Sequence, residues 1–232
     1  MRALAGALAL ATLPGLALGR CIDDAMIVLD GSGSMARSGY ALNAAPRIDQ
    51  ARDALERALP LVLPSRPLGL LTYGAGQGGP CDSIRVRVPP APGTAETILS
   101  ETRSIAPQGD TPLADAVATA AAVLEHTKQP ATIVVVTDGL DTCSGSVCTT
   151  ARILANEGQD TAIHVVYFRT PGDILASDEQ LWRTPPGCLA YYTGAEFIRV
   201  TDVDELTRAL SLTLACPLFS KTQPAISSRR KG

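Results

Sequence analysis

The sequence VLDGSGSM, at Val28–Met35, places one carboxylate and two hydroxyl groups at alternate positions between glycines. Oxygen-bearing side chains on a glycine-rich turn could cradle a phosphate, activate a nucleophile or hold a hard metal ion. Two other segments carry groups of the same kind, with a threonine in GDTPL and an aspartate in VVVTDG. The candidate site residues are therefore Asp30, Ser32, Ser34, Thr111 and Asp138.

The segments around these residues predict where the oxygen groups lie. Asp30 follows the apolar run Ala25–Leu29, and Asp138 follows the apolar run Ile133–Val136. Apolar runs without alternation are typical of strands buried on both faces of a parallel sheet. Ligands of such sheets bind beyond the carboxyl ends of the strands, where the strand order reverses. If the two strands are neighbours there, both carboxylates meet, and Thr111, which we expect to cap the following helix, reaches the same crevice.

A crevice with two carboxylates and three hydroxyl groups suits a hard cation. Mg²⁺ prefers about six oxygen ligands and gives up its water reluctantly, so one or two carboxylates with hydroxyl groups and water are sufficient. An ion with so few anionic ligands remains electron-poor and can accept a carboxylate from another molecule. The pattern therefore predicts a site for Mg²⁺ (or Mn²⁺), because no soft ligand competes with the oxygens.

The pattern of the whole chain predicts a doubly wound α/β domain. Further buried strands are expected at Leu68–Tyr73 and Ala162–Phe168. Ile84–Val88 follows a glycine-rich turn closely enough to pair antiparallel with the strand before it. Apolar residues recur at helical spacing after Pro46 and again after Thr111. Other helices are expected at Thr94–Ile105, Thr149–Asn156 and Asp202–Leu214.

The two ends of the chain differ in composition from its body. Residues 1–19 combine Arg2, an apolar run and small residues at the positions that a signal peptidase reads, which predicts a cleaved secretory signal. Residues 20–216 form the predicted domain, and residues 217–232 are expected to be a disordered basic tail. Arg2 contributes one positive charge and the last twelve residues four, so the formal net charge of −3 leaves −8 for residues 20–220. This charge argues against nucleic acid as a partner, and no segment after the signal is expected to span a membrane.

Six cysteines follow the predicted signal peptide. An even number in an exported chain predicts up to three disulfides and a secreted or periplasmic location. Cys143 and Cys148 enclose a short Ser-Gly-Ser segment that turns easily, which predicts a bridge between them. Cys21 precedes the first strand and Cys216 follows the last helix, so a second bridge is expected at the edge opposite the metal site. The pair left by elimination is Cys81 and Cys188.

The segment DGSGS at 30–34, with Thr111 in DTPL and Asp138 in TDG, resembles the metal-ion-dependent adhesion site (MIDAS) of von Willebrand factor type A (VWA) domains. The resemblance covers roughly residues 22–215, and TDGLDTCSGSVC is similar to a loop of exported bacterial members of the family. It implies a six-stranded, mostly parallel sheet flanked by helices, a divalent ion that is usually Mg²⁺, and a non-enzymatic role in binding proteins.

The resemblance also assigns a role to each candidate residue. Ser32, Ser34 and Thr111 would contact the ion directly or nearly so. Asp30 and Asp138 would act directly or through water. The open coordination position would take an acidic residue of a protein partner, so the implied function is divalent-metal-dependent adhesion or assembly.

The loops around the site are expected to determine which partner binds. Arg37 and Tyr40 follow the first strand, and Asp141 lies in the loop at residues 139–147. We expect these three residues on the rim that contacts the partner. We also expect the domain to be monomeric by itself.

Two other functions remain as alternatives. The first is an envelope structural or assembly factor whose metal site only stabilises the fold. Capture of partners with and without EDTA distinguishes this function from metal-bridged binding, because only metal-bridged binding needs the ion. The second, a metal-dependent hydrolase, is the least favoured, because serine chemistry needs a base beside the nucleophile. Of the two histidines, His126 is expected on an exposed helix position and His164 inside a strand. The G-x-S-x-G pattern and the lysine of a phosphate-binding loop are both absent from the sequence.

Overall fold

The computed structural model describes residues 23–39, 41, 43–75, 79, 81–168 and 183–214. Strands and helices alternate along these residues, except for one pair of consecutive strands and one pair of consecutive helices. The strands are β1 (Asp24–Asp30), β2 (Leu68–Tyr73), β3 (Arg85–Ala91), β4 (Ala131–Thr137), β5 (Thr161–Phe168) and β6 (Phe197–Val200). The helices are α1 (Arg47–Ala58), α2 (Ala95–Arg103), α3 (Leu113–Val123), α4 (Val147–Glu157), α5 (Pro185–Thr193) and α6 (Val203–Leu214), with short 3₁₀ turns at Gly33–Ala36 and Leu59–Leu61.

The strands form one six-stranded sheet in the order β3-β2-β1-β4-β5-β6. All neighbouring pairs are parallel except β2 and β3, which pair antiparallel as the sequence predicts. The strand order reverses between β1 and β4, which lie side by side with Leu29 opposite Val136. The predicted doubly wound, mostly parallel sheet is confirmed, and the reversal places the ends of β1 and β4 next to each other.

Side chains of β1 point alternately into two apolar layers. Ile27 and Leu29 belong to the core that α1, α2 and α6 cover, whereas Met26 and Val28 belong to the core that α3, α4 and α5 cover. Because both faces of the strand are buried, no position needs a polar residue. The unbroken apolar run at Ala25–Leu29 follows directly from this position at the centre of the sheet.

The helices predicted from periodicity are present, with boundaries that differ by one or two residues. Helix α1 begins directly after Pro46, and α4 begins at Val147 instead of Thr149. Helix α5 and strand β6 are not evident from the sequence pattern. Their signals are weak because β6 has four residues, three of them only half-buried, and the predominantly apolar α5 lacks a clear polar face. Among the described residues, none of the helices is long and apolar enough to cross a membrane.

The disulfides of the described residues pair differently from the expectation. Cys81 is bonded to Cys143, with Cα atoms 5.7 Å apart, and Cys148 is bonded to Cys188, with Cα atoms 5.1 Å apart. The predicted Cys143–Cys148 and Cys81–Cys188 bridges are therefore wrong. Cys148 lies in the first turn of α4, which packs against α5 and its Cys188, whereas Cys143 lies in the preceding loop, beside the β2–β3 connection. Nearness in sequence did not determine either pairing.

Several expectations lie outside the described residues. These are the signal peptide at residues 1–19, the Cys21–Cys216 bridge, the rim residue Tyr40 and the tail at residues 217–232. They stay predictions.

Candidate metal centre

The turn after β1 is packed tightly against the end of β2. Gly31 donates its N–H to the carbonyl oxygen of Tyr73 at 2.8 Å, and a Cβ atom on Gly31 would lie 2.8 Å from both that oxygen and the Cβ of Ala75. Gly74 has a φ of +72°, and a Cβ there would overlap the backbone of Ser32. Glycine is required at both positions because the two backbones approach too closely for a side chain. This packing holds the serines of the turn in place.

Three oxygen atoms of the candidate residues form a cluster beyond the ends of β1 and β4. The Oγ atoms of Ser32 and Ser34 lie 3.0 Å apart, and Ser34 Oγ donates to Asp138 Oδ1 at 2.5 Å. Adjacent ligands of an octahedral ion with metal–oxygen distances of about 2.1 Å are about 3 Å apart. The 3.0 Å spacing of the two serine hydroxyl oxygens and the oxygen-only chemistry of this cluster therefore fit Mg²⁺ or Mn²⁺.

Asp30 lies beneath this cluster and is fully buried. Its Oδ1 accepts the N–H of Ser32 at 2.8 Å, and its Oδ2 accepts the hydroxyl of Thr137 at 2.6 Å. Burial, and secondarily the nearby Asp138 carboxylate, raises the pKa of Asp30 above its usual value. Two buried carboxylates therefore favour the binding of a cation. Its positive charge would offset both the loss of hydration of Asp30 and the repulsion between Asp30 and Asp138.

Thr137 and Tyr73 support Asp30, and the sequence pattern did not single out either residue. The hydroxyl of Tyr73 donates to Thr137 Oγ1 at 3.2 Å, and Thr137 in turn donates to Asp30. Both side chains are buried, and burial raises the pKa of Tyr73 well above its usual value, with a further contribution from Asp30. The chain of hydroxyl groups thus orients the carboxylate and remains protonated.

Arg47 is the main residue of the centre that the sequence pattern does not indicate. Its Nη1 donates to Asp138 Oδ2 at 2.6 Å and to the carbonyl oxygen of Ser34 at 3.1 Å. The Arg47 side chain is 5 % exposed and that of Asp138 is 0 % exposed, so the ion pair is buried. Arg47 occupies the first turn of α1, where the helix dipole disfavours a cation. A basic residue directly after Pro46, at the start of a predicted helix, was the feature of the sequence that could have indicated this role.

Thr111 lies in the connection before α3, next to the serine turn. The Gly33 N–H donates to the carbonyl oxygen of Gly109 at 2.9 Å, and Ser32 and Gly109 form a parallel bridge. Thr111 is buried, and its backbone exchanges two hydrogen bonds with Thr142, one through the Thr142 hydroxyl. Its segment therefore lies between the serine turn and the loop after β4. The expected capping role is wrong, because the residue at the N-cap of α3 is Pro112.

Asp141 provides the cap of α3 from the loop after β4. Its Oδ2 accepts the N–H of Ala114 at 2.9 Å, and its Oδ1 accepts the N–H groups of Cys143 at 2.9 Å and Gly145 at 3.1 Å. The predicted rim residue Asp141 thus organises the loop beside the site and joins it to α3. Arg37, another predicted rim residue, is exposed, and Leu140 is also exposed next to Asp141.

The histidines of the chain, His126 and His164, lie away from Ser32 and Ser34. His126 is buried, contrary to the expectation. It follows α3, and its Nδ1 lies 3.2 Å from the hydroxyl oxygen of Thr161 at the start of β5. This position precedes β4 and is therefore at the opposite edge of the sheet from Asp138. His164 lies within β5, and its Nδ1 accepts the N–H of Glu196 at 3.1 Å. The positions of the histidines thus offer no support for a serine nucleophile.

One other group of metal-ligating residue types lies together among the described residues. It consists of Cys81, Asp110 and Cys143. The two sulfur atoms are bonded to each other, so neither is available as a thiolate. This group is therefore a disulfide with a neighbouring carboxylate.

Comparison with known proteins identifies the family. The model of the von Willebrand factor type A domain matches residues 25–140. The chain belongs to this family. The matched segment extends from β1 through the turn after Asp138, so it contains all five candidate residues of the VWA domain. Domains of this family commonly mediate protein interactions. No curated protein matches the chain.

Solved structures share the VWA fold at low sequence identity. BatB from Bacteroides thetaiotaomicron is 18 % identical, with a TM-score of 0.59 over 82 % of this chain and 95 % of that protein. The pilus adhesin SpaC from Lactobacillus rhamnosus GG is 13 % identical, with a TM-score of 0.62 over 82 % of this chain and 30 % of SpaC. Proximal thread matrix protein 1 from the mussel byssus, solved with a zinc-occupied MIDAS motif, is 15 % identical, with a TM-score of 0.55 over 84 % of this chain and 46 % of that protein. The chain thus spans nearly all of BatB but less than half of the other two proteins.

Proposed function

We propose that this protein is a non-enzymatic binding domain that holds an acidic residue of a protein partner through Mg²⁺ (or Mn²⁺). The observation that carries the proposal is the cluster of Ser32 Oγ, Ser34 Oγ and Asp138 Oδ1 above the buried carboxylate of Asp30. These atoms have the chemistry of hard-cation ligands, and the two serine oxygens also have their spacing. Thr111, whose segment lies beside the serine turn, would complete the protein's ligands.

Each group has a distinct part in this function. The bound ion supplies an electron-poor position that attracts a carboxylate. Ser32 and Ser34 hold neutral oxygens at the site, so their coordination adds no negative charge that would compete with the partner. Asp30 and Asp138 supply the negative charge that attracts the cation, and the buried hydrogen bonds to Thr137 and Arg47 keep both carboxylates oriented.

The setting of the site supports a role outside the cytoplasm. Two disulfides link described parts of the chain, and such bonds persist in oxidising compartments. We therefore propose that the protein is secreted or periplasmic. The structural neighbour SpaC is a pilus adhesin, which is consistent with a binding function.

Calorimetry with the purified protein tests the metal site. We expect one Mg²⁺ or Mn²⁺ to bind to the wild type and no binding to Asp30→Ala, because that change removes the buried carboxylate. Asp49→Ala is the matched control, since Asp49 is a half-exposed carboxylate on α1 that pairs with Arg52. Unchanged metal binding by a folded Asp30→Ala protein would contradict the assignment.

Affinity capture from the envelope of the source cell tests the use of the metal. The immobilised protein should retain a partner in Mg²⁺ and release it in EDTA, and Asp30→Ala should capture none. A partner that stays bound in EDTA indicates instead an envelope factor whose metal only stabilises the fold. Metal-dependent cleavage of the captured protein would contradict a non-enzymatic role.

A further inference from the structure

The Arg47–Asp138 ion pair is unusual in its placement. A cation in the first turn of a helix faces the positive end of the helix dipole, and Arg47 is also removed from water. Its Nε has no hydrogen-bond partner among the described residues. Burial of a cation in these conditions is unfavourable unless it is paired, so the contact with Asp138 must compensate for it.

The geometry leaves the metal-facing side of Asp138 free of Arg47. The guanidinium contacts Oδ2, whereas Oδ1 faces the Ser34 hydroxyl in the oxygen cluster. Arg47 also contacts the carbonyl oxygen of Ser34, on the backbone of the same turn. The arginine therefore lies behind the candidate ligands, where it can remain in place when a cation binds in front of them.

The charges of the centre then determine what it can bind. With both carboxylates ionised, Asp30, Asp138 and Arg47 together carry one negative charge. A divalent cation raises the total to one positive charge, and the carboxylate of a partner brings it to zero. A buried centre is most stable when its charges balance.

We propose that Arg47 makes metal binding depend on the partner, so that the centre holds a divalent cation tightly only together with an external carboxylate. This inference rests on the proposed metal-bridging function. Without the arginine, Asp30 and Asp138 would neutralise the cation by themselves, and the external carboxylate would add an excess negative charge. Arg47 is thus a positioning and specificity-determining residue. It orients Asp138, and its positive charge weakens the binding of the cation alone and strengthens the binding of the acidic ligand.

Calorimetric titration with Mn²⁺, in chloride and in acetate at equal ionic strength, measures this coupling, with acetate as the carboxylate probe. We expect acetate to tighten Mn²⁺ binding by the wild type. Arg47→Met and Arg47→Gln should bind Mn²⁺ about tenfold more tightly than the wild type in chloride, because the repulsion between two cations is lost. Both variants should also lose most of the effect of acetate.

Three controls separate charge from folding and from orientation. Arg47→Lys keeps the charge and should retain weak Mn²⁺ binding with coupling to acetate. Arg57→Met removes an arginine of the same helix from an exposed pair with Asp204, and it should behave as the wild type. Thermal unfolding with and without Mn²⁺ reports whether each variant is folded, and Arg47→Gln retains a donor for Asp138 if Arg47→Met does not fold.

The outcomes distinguish this inference from the function on which it rests. If the wild type binds no divalent cation in either chloride or acetate, the proposed function and the inference are both wrong. If the wild type binds Mn²⁺ but neither neutral variant binds it more tightly in chloride, only the role of Arg47 is refuted. Equal coupling to acetate in the wild type and in Arg47→Gln would refute it as well.

Discussion

At the scale of single residues, the burial of the Asp30 carboxylate lowers the stability of the metal-free protein. The carboxylate is fully buried, and burial followed by the charge of Asp138 raises its pKa above the ordinary 3.8. Between 3.8 and the raised pKa, the folded metal-free protein binds more protons than the unfolded chain. Its stability therefore falls as the pH rises through that window, and the penalty persists at neutral pH. A bound cation would take the place of the proton.

Asp30→Asn should therefore stabilise the metal-free protein. In EDTA at neutral pH we expect its free energy of unfolding to exceed that of the wild type by about 1 kcal/mol, as for other stabilising changes at functional sites. The gain should vanish as the pH falls below 3.8, where the wild-type carboxyl group is protonated in both states. Denaturant unfolding over a pH series measures the difference. In Mn²⁺ the order should reverse, and an equal gain at every pH would contradict this explanation.

At the scale of secondary-structure elements, the two disulfides of the described residues hold different parts of the molecule. Cys81–Cys143 joins the β2–β3 connection to the loop in which Asp141 accepts three backbone N–H groups. Cys148–Cys188 joins α4 to α5. They span 62 and 40 residues, and chain-entropy arguments assign about 4 kcal/mol to each. They should therefore contribute similarly to stability and differently to binding.

Replacement of each pair by serine tests this division. Cys81→Ser with Cys143→Ser should lower stability and also weaken Mn²⁺ binding, because the loop beside the site must then be ordered when the ion binds. Cys148→Ser with Cys188→Ser should lower stability by a similar amount and leave the Mn²⁺ affinity close to that of the wild type. Denaturant unfolding and calorimetry give the two quantities, and each double variant serves as the control of the other. Equal losses of affinity would refute a special role for the first bridge.

At the scale of the whole molecule, α6 is held against the sheet along its length. Leu206, Leu210 and Leu214 are fully buried in the core shared with α1. Arg66 donates to the carbonyl oxygen of Leu214 at the end of α6 and to that of Asp23 before β1. One side chain thus connects the beginning and the end of the described domain, which opposes a slide of the helix.

We therefore predict that the domain binds its partner without a large shift of α6. Structures with and without a bound acidic peptide should superpose at Val203–Leu214. Peptide mapping of unreduced protein tests the accompanying Cys21–Cys216 bridge, which would tether the helix further. A displacement of α6 by one helical turn would refute the prediction, whether or not the bridge is found.

The sequence by itself was sufficient for the fold class and for most of the oxygen cluster. Apolar runs reveal buried strands because burial on both faces leaves no polar positions, as in β1 and β4. Asp30 and Asp138 directly follow such runs, so local pattern and the general geometry of parallel sheets place them together. Ser32 and Ser34 accompany Asp30 because they share one short turn. All of these inferences depend on neighbours in sequence or on rules common to every sheet of this kind.

Only the tertiary structure revealed which distant side chains pair. Arg47 and Asp138 are 91 positions apart, and Cys148 and Cys188 are 40 apart. Such pairs depend on how the helices pack against the sheet and against each other. The spacing of apolar residues along the sequence does not determine this packing. The same reason explains why Asp141, and not Thr111, caps α3: its loop folds back over the start of a helix that lies 27 residues earlier. The candidate oxygen ligands are thus evident from local sequence, whereas the arginine that pairs with Asp138 is evident only when α1 is packed against the sheet.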